Sequence, residues 1–342
     1  MTGPDKALLR ATARSFYLTL QILPARVRPQ IGLAYLLART SDTIADTEIV
    51  PLGQRLAALQ QFRDRIQGRT SAPLVFGELA RHQGLPAEKL LLEKVEENLA
   101  ALREFSARDQ RLMEDVLTTI TSGQELDLQR FGGRSAGQLP GPPTRGTAGA
   151  QNPVVALSTT AELDDYTFRV AGCVGEFWTK LCRAHLFPDA DLDEPKFVAD
   201  GIQFGQGLQL VNILRDLPAD LRNGRCYLPW EQLTPAKLTP ENLLQPENEA
   251  SFLHLFRAQL GVADARLAAG WRYTQTLPYG QFRVRLACAW PILLGANTIA
   301  KLRVAGVAEL RQRVKVSRGE VYALLARTIL ACPVPGLWRK LY

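Results

Sequence analysis

The sequence predicts an all-α protein, and two observations lead to that fold class. Apolar residues recur with the 3.6-residue period of a helix in nearly every long segment, and nowhere do Val, Ile and Thr alternate as in a half-buried strand. Hydrophobic residues make up 46% of the 342 positions, which is enough for a sizeable buried core. We therefore predict a single helical domain over residues 1–342.

Helices alternate along the chain with segments rich in Pro and Gly, and Pro24 separates the first two. Residues 132–153 are rich in Gly and Pro and have no apolar period, so we expect a mobile loop there, with a lid over a site as one role for it. Residues 332–342 are expected to form a loose C-terminal tail. The predicted helices cover residues 7–23, 25–47, 52–67, 88–130, 161–186, 205–225, 251–277, 281–305 and 318–331.

Charge and cysteine content narrow the class of function. A net charge of +7, from 41 basic and 34 acidic residues, favours anionic partners such as phosphate groups, nucleic acid or a lipid surface. Five cysteines without a CxxC pair argue against a disulfide framework or structural zinc and indicate a reducing cytosol.

Hydropathy bears on location. We find no secretory signal core at the N-terminus and no apolar run of the roughly 20 residues that a spanning helix needs. A cytoplasmic protein is expected, at most peripheral at the inner membrane face. For residues 324–342 two interpretations stay open: a peripheral membrane contact, and a packed terminal helix with a loose end.

A narrow polar stripe follows the predicted helix at 205–225. Gln209, Asn212, Asp216 and Asp220 are spaced by three, four and four residues and therefore share one face, whereas the surrounding positions are mostly apolar. Because buried carboxylates need compensating positive charge, an inward-facing stripe predicts either a bound cation or a network of cationic side chains opposite it. Pro218 removes a backbone hydrogen bond between the two aspartates, so helical register is less secure for Asp220 than for Asp216.

A second stripe lies on the helix at 25–47. Tyr35, Arg39, Asp42 and Asp46 are spaced by four, three and four residues on an otherwise apolar helix. Mg²⁺ is commonly held by one or two carboxylates together with substrate phosphates. Two such aspartate pairs facing each other would bind Mg²⁺ and a diphosphate, with an arginine of each stripe on the phosphate oxygens. The alternative is two interhelical salt-bridge ladders.

The helix at 161–186 carries Tyr166 and two glycines, Gly172 and Gly175. A glycine inside a helix costs about 1 kcal/mol relative to alanine, so either another helix packs closely there or a long ligand passes. The polar run at 124–129 is interpreted as a solvated face, with the edge of a cavity as the alternative.

Together these motifs resemble the squalene and phytoene synthase family. The resemblance rests on ARSF at 13–16, YLLARTSDTIAD at 35–46, YTFRVAGCVG at 166–175 and QLVNILRDLPADLRNGRCYLP at 209–229. It implies an isoprenoid synthase helical fold with a central cavity. The implied activity is the head-to-head condensation of two prenyl diphosphates through a cyclopropyl intermediate.

The resemblance also implies roles for single residues. The Mg²⁺ ligands would be Asp42, Asp46, Asp216 and Asp220. The diphosphate contacts would be Arg14, Ser15, Arg39, Arg215 and Arg225, and Phe16 would touch an isoprenoid chain. The reaction centre would be lined by Tyr35, Gln209, Asn212 and Tyr166, of which Tyr166 would assist ionisation or proton removal. Three positions depart from the family pattern: Ala45 and Ala219 replace frequent acids, and Thr167 replaces a frequent cysteine.

Two further stretches, CAWPILLGANTIAKL at 288–302 and VKVSRGEVYALL at 314–325, look more like the squalene synthases of the family. That likeness implies NADPH as a second cofactor, bound through Lys315, Ser317 and Arg318. We therefore expect a monomeric, Mg²⁺-dependent squalene synthase that uses farnesyl diphosphate and binds no nucleic acid. The first alternative is a phytoene or dehydrosqualene synthase, which performs the same condensation without reduction. The second is a non-catalytic basic helical protein that binds membrane or nucleic acid.

Overall fold

The computed structural model describes residues 5–13, 16–132 and 154–342, and the predicted all-α class is confirmed. The one strand pair in these ranges is parallel and two residues long, β1 (Val155–Ala156) with β2 (Arg225–Cys226). The chain divides into two compact units, Met1–Gly146 with Lys180–Pro188, and Thr147–Thr179 with Asp189–Tyr342. The single domain stays a prediction, and residues 133–153 of the expected loop lie outside the described residues.

The first unit is built around one long helix, α3, against which α4, α6, α7 and α8 pack. Pro29 stands in the first turn of α3, where its missing N–H leaves no intrahelical bond unmade. The helices of this unit are α1 (Lys6–Ala13), α2 (Phe16–Ile22), α3 (Arg28–Asp46), α4 (Leu52–Ile66), α5 (Gly77–Arg81), α6 (Pro86–Glu93), α7 (Val95–Leu102) and α8 (Ala107–Phe131).

The long helix expected at 88–130 is three helices in the structure. One break falls at Lys94, whose backbone leaves helical geometry. The other falls before Ser106, whose hydroxyl accepts a hydrogen bond from the Asp109 amide at 3.2 Å and so starts α8 anew. The sequence period continues across both breaks, so periodicity alone did not locate them.

The second unit is organised around α11 and α13, which pack along each other, with α14 against both. Its helices are α9 (Thr160–Thr167), α10 (Cys173–Leu186, whose last residues belong to the first unit), α11 (Glu194–Arg222), α12 (Trp230–Leu233), α13 (Glu249–Thr276), α14 (Phe282–Val304), α15 (Val307–Arg311), α16 (Arg318–Ala331) and α17 (Pro335–Arg339). One π-helical turn, Phe168–Gly172, joins α9 to α10.

Close helix packing accounts for the glycines near Tyr166. A Cβ atom on Gly175 would lie 1.9 Å from the Gly201 carbonyl oxygen, and one on Gly205 would lie 2.2 Å from that of Ala171. The backbones of α10 and the π-helical turn therefore approach α11 at distances that only glycine permits. Of the two sequence interpretations, the structure supports the packed helix.

The C-terminal tail is ordered, so the expectation of a loose segment at 332–342 is wrong. Trp338 is 1% exposed and stacks on Trp271 with ring centroids 5.4 Å apart. The Tyr342 hydroxyl donates a hydrogen bond to Asp264 Oδ1 at 2.9 Å. Burial of these aromatic rings stabilises the tail, and its two prolines obscured that pattern in the sequence. No helix in the described ranges is long and apolar enough to span a membrane.

Candidate active site

Asp42 of the first aspartate pair is held by contacts from α8 and from its own helix. Its Oδ1 accepts a hydrogen bond from Gln124 Nε2 on α8 at 2.6 Å. Arg39, one helical turn earlier on α3, lies 3.6 Å from Asp42 Oδ2 and donates to Glu88 Oε1 at 2.5 Å. The arginine is therefore held between two acids on the face that carries Asp42, as the spacing predicted.

Burial and, to a smaller extent, the neighbouring Asp46 carboxylate raise the pKa of Asp42 to about 7, whereas Arg39 acts in the opposite direction. The Asp42 carboxyl is recessed, although 35% of the Asp42 side-chain surface is exposed to solvent. Two acids four residues apart on one helix repel each other when both are ionised. A cation beside them would remove that repulsion and favour both carboxylates.

Aromatic contacts accompany the first pair. The Tyr35 hydroxyl donates a hydrogen bond to the Thr12 carbonyl at 3.0 Å, and its ring centroid lies 5.2 Å from that of Phe16. The structure thus brings two predicted site residues together at the start of α2. The other two residues predicted from that motif, Arg14 and Ser15, lie outside the described residues.

Asp216 of the second pair is contacted by two arginines. Arg215 donates to both of its carboxylate oxygens, from Nε at 3.1 Å and from Nη2 at 2.5 Å, and Arg313 Nη2 lies 3.4 Å from Oδ1. Helix α11 continues through Pro218 to Arg222, so Asp220 keeps its helical position. These residues line a pocket of about 380 Å³ together with α15. The concern that Pro218 displaces Asp220 is therefore not borne out.

The rest of the α11 stripe is more open than an inward-facing stripe would be. Asn212 is exposed and Gln209 is half-buried, as are both aspartates. Neighbouring helices pack on the apolar positions of α11, and this leaves the polar face accessible. Arg225 lies in β2, directly after Gly224, whose φ of +76° forms the tight turn out of α11.

Tyr166 has an aromatic partner that the sequence did not indicate. Its ring stacks on Tyr227 with centroids 4.8 Å apart, and its hydroxyl lies 3.4 Å from the Tyr227 hydroxyl. Tyr166 directly precedes Thr167 and the π-helical turn, a feature frequent at functional sites. Tyr227 falls inside the quoted GRCYLP segment, so its place in that motif was the available signal.

The polar run at 124–129 is mostly not a solvated face. Gln124 binds Asp42, Glu125 pairs with Arg63 at 2.5 Å, and Asp127 is 8% exposed. The solvated interpretation holds for Gln129. The error arose because neighbours on α3 and α4 cover this end of α8, which no local pattern shows.

The residues predicted to bind NADPH lie at the start of α16. Ser317 caps this helix: its hydroxyl accepts from the Glu320 amide at 3.3 Å, while Glu320 Oε2 accepts from the Ser317 amide at 2.7 Å. Lys315 and Arg318 are exposed, and neither pairs with a carboxylate within the described ranges. Two basic side chains at a helix N-terminus suit a phosphate group.

The acids also suit Mg²⁺. Within residues 5–13, 16–132 and 154–342, no group of three or more His, Cys, Asp and Glu side chains could hold a metal by itself. Each aspartate pair offers two carboxylates, the number that Mg²⁺ commonly takes from protein when substrate phosphates complete its coordination. The donors therefore fit Mg²⁺ bound together with a diphosphate.

Comparison with known proteins agrees with these features. The sequence pattern of the squalene/phytoene synthase family matches residues 9–320. A presqualene diphosphate synthase from Sinorhizobium fredii is 30% identical over 229 residues, which are 67% of this chain and 63% of that protein. A bifunctional lycopene cyclase/phytoene synthase from Blakeslea trispora is 28% identical over 290 residues, which are 82% of this chain and 42% of that protein. The chain thus spans less than two thirds of either relative.

A solved structure extends the likeness to the fold. TcSQS in complex with the ligand BPH1237 matches with a TM-score of 0.73 at 20% identity, over 94% of this chain and 84% of that chain. The helical arrangement is therefore shared.

Proposed function

Since the chain belongs to the squalene/phytoene synthase family, we propose that it is a squalene synthase. It joins two farnesyl diphosphates head to head into presqualene diphosphate and reduces that intermediate with NADPH to squalene. One observation carries the proposal: each aspartate pair lies on one helix face beside an arginine, Arg39 with Asp42 and Arg215 with Asp216. Acidic and basic side chains placed together in this way suit a metal diphosphate, with the acids toward the metal and the arginines toward the phosphate.

The four aspartates, Asp42, Asp46, Asp216 and Asp220, are proposed to hold Mg²⁺ with the diphosphate. Bound Mg²⁺ neutralises the charge that develops on the departing diphosphate. Arg39 and Arg215 contact the phosphate oxygens, and they reach this role by exchanging part of their present contact with the acids for the substrate. Glu88 holds the Arg39 guanidinium through a 2.5 Å contact. Further contacts are proposed for Arg14, Ser15 and Arg225.

The aromatic residues act on the carbocation that remains when diphosphate leaves. Tyr35 and Phe16 present ring faces, which stabilise a nearby positive charge. Closing the cyclopropane ring releases one proton from the substrate carbon. The Tyr166 hydroxyl, beside that of Tyr227, is proposed to receive or relay that proton. Gln209 and Asn212 orient the chains.

The reduction is proposed to use the start of α16. NADPH supplies the electron pair and the hydrogen that replace the second diphosphate. Lys315 and Arg318 bind its phosphate groups from exposed positions, and Ser317 fixes the helix start between them. No carboxylate in the described parts of the chain neutralises either side chain, so the positive charge of both is available to the phosphate groups.

A second candidate is the condensation without reduction, as in a phytoene or dehydrosqualene synthase. The phytoene synthase relatives favour it. Purified protein is incubated with Mg²⁺ and farnesyl diphosphate, with and without NADPH, and separately with geranylgeranyl diphosphate. Squalene that forms only with NADPH supports the first candidate. Dehydrosqualene, or phytoene from geranylgeranyl diphosphate, without any reductant would contradict it and support the second. We further propose that the enzyme is a cytoplasmic monomer.

A further inference from the structure

Exposed apolar side chains concentrate in the C-terminal part of the second unit. Nine of the seventeen large hydrophobic residues that are exposed in the described ranges lie after residue 278. On α16, Tyr322, Ile329 and Leu330 are 65%, 52% and 74% exposed. With the exposed Ala326, they stand at positions i, i+4, i+7 and i+8, and so form one face of the helix. A surface helix normally turns such a stripe toward the core.

The stripe continues onto neighbouring elements. The Tyr279 hydroxyl donates to the Pro333 carbonyl at 2.6 Å, which holds the turn before α14 against the corner between α16 and α17. Phe282, the first residue of α14, is 52% exposed, and Val334 and Leu337 at the corner are 44% and 55% exposed. We call this set the C-terminal apolar surface: Phe282, Tyr322, Ile329, Leu330, Val334 and Leu337.

The same segment is strongly basic. Residues 278–342 contain eleven Lys and Arg and two Glu, a formal charge of +9, whereas the whole chain carries +7. The remainder of the chain is therefore slightly acidic. Seven exposed basic residues of this segment pair with no carboxylate in the described parts of the chain, namely Arg283, Arg311, Lys315, Arg318, Arg327, Arg339 and Lys340.

We propose that the C-terminal apolar surface docks the protein onto an anionic lipid bilayer. Apolar side chains enter the boundary between headgroups and acyl chains, and the flanking basic residues attract anionic headgroups. A second copy of the chain is a poorer occupant, because it would bring two +9 segments together. The contact is peripheral, since no described helix can span a membrane. It goes beyond the proposed reaction and does not depend on it.

Vesicle sedimentation tests the proposal with no substrate present. The full chain is mixed with vesicles of phosphatidylcholine, either pure or containing phosphatidylglycerol, at low and high salt. The double variant Ile329→Ser/Leu330→Ser removes the most exposed part of the stripe. Its matched control is Ile49→Ser/Val75→Ser, which removes two apolar residues that are 69% and 85% exposed in the first unit. Circular dichroism and thermal unfolding check that every variant is folded.

Wild type is expected to sediment with the anionic vesicles and to be released by salt. The double variant is expected to bind at least about tenfold less, whereas the control binds as wild type does. Arg327→Gln/Arg339→Gln is expected to lose the preference for phosphatidylglycerol. The proposal is overturned if wild type stays in the supernatant. It is equally overturned if Ile329→Ser/Leu330→Ser and its control Ile49→Ser/Val75→Ser lose binding to the same extent. It is also overturned if sedimentation equilibrium shows a dimer that the stripe variant dissociates while vesicle binding is absent.

Discussion

Gln124 donates a hydrogen bond to Asp42 at 2.6 Å, from the last turns of α8 to the end of α3. The contact fixes one carboxylate oxygen of Asp42, while the other faces Arg39 at 3.6 Å. A carboxylate that is held in this way presents its remaining lone pairs in a fixed direction. Gln124 therefore acts on the proposed Mg²⁺ site through Asp42 rather than by touching substrate.

Replacing Gln124 by Leu is expected to raise the Mg²⁺ concentration needed for half-maximal rate about tenfold. A hydrogen bond to a charged group contributes about 1.5–3 kcal/mol, and about 1.4 kcal/mol corresponds to a tenfold change. The measurement is the rate of diphosphate release as a function of Mg²⁺. Gln129→Leu is the matched control, because Gln129 is exposed on the same helix. An equal shift in both variants would assign the effect to α8 as a whole.

Asp216→Asn and Asp220→Asn are each expected to lower the rate of diphosphate release about a hundredfold or more, because each removes a negative ligand from the proposed metal site. Similar losses are expected because α11 keeps both residues on the helix despite Pro218. Glu247→Gln, an exposed acid of the same unit, serves as the control. An Asp220→Asn enzyme with wild-type activity would show that Asp220 is not a ligand.

Tyr166→Phe is expected to lower kcat at least about a hundredfold, the range found when a positioned acid or base is lost. Tyr227→Phe keeps the stack but removes the hydroxyl that lies 3.4 Å from Tyr166, so a smaller loss of about tenfold is expected. The pH profile of kcat should change shape in Tyr227→Phe if this hydroxyl tunes its neighbour. An unchanged profile together with full activity would assign Tyr227 to packing alone.

Gly175→Ala is expected to destabilise the fold by about 1–3 kcal/mol, because the new Cβ would lie 1.9 Å from the Gly201 carbonyl oxygen. Gly261→Ala provides the contrast, since Gly261 lies inside α13 with no atom within 4 Å of its added Cβ. There alanine is expected to stabilise by up to about 1 kcal/mol. Urea unfolding of both variants measures the two free energies, and equal effects would contradict the close approach of α10 to α11.

The thiols are expected to be unreactive in the folded protein. All five cysteines are free and buried, and burial raises the pKa of Cys173 and of Cys226 to about 12. Titration with a thiol reagent should detect none within minutes under native conditions and five in guanidinium chloride. The rate of thiol labelling in the native protein should not change from pH 7 to 9, because the reactive thiolate does not form there. Fast labelling that follows an ordinary thiol pKa would contradict the burial.

The raised pKa values of the buried thiols also determine how the free energy of unfolding changes at alkaline pH. In the unfolded chain, thiols lose protons from about pH 8.5, whereas the buried groups keep theirs. The folded state then binds more protons, so the free energy of unfolding falls as pH rises from there toward 12. Below about pH 8.5 the stabilising contribution of the buried thiols is fully present.

Much of the fold followed from local pattern. The period of the apolar residues predicted α3, α4, α13, α14 and α16 to within a few residues, because each helix buries one face along its length. Helix α11 begins at Glu194, eleven residues before the start that the sequence predicted. The stripe spacing likewise placed Asp42 beside Arg39 without any tertiary information, since both lie on one helix.

The features that could not be predicted from the sequence depend on contacts between elements that are distant in the chain. Gln124 contacts Asp42 from α8, and Tyr227 contacts Tyr166 from the segment directly after β2, so both partners are distant in the chain. The tail was expected to be loose because prolines interrupt it, yet Trp338 finds a buried partner in Trp271. In each instance the deciding neighbour is remote in sequence, and periodicity carries no information about it.

The central claim is that the two aspartate pairs serve a head-to-head condensation. Its most direct test is incubation of the purified protein with farnesyl diphosphate and Mg²⁺ in the absence of NADPH, with extraction and identification of the product by mass spectrometry. Presqualene diphosphate, formed with one released diphosphate per product and abolished by chelation of Mg²⁺, is the result that we predict. Absence of any Mg²⁺-dependent diphosphate release from farnesyl or geranylgeranyl diphosphate would contradict the claim.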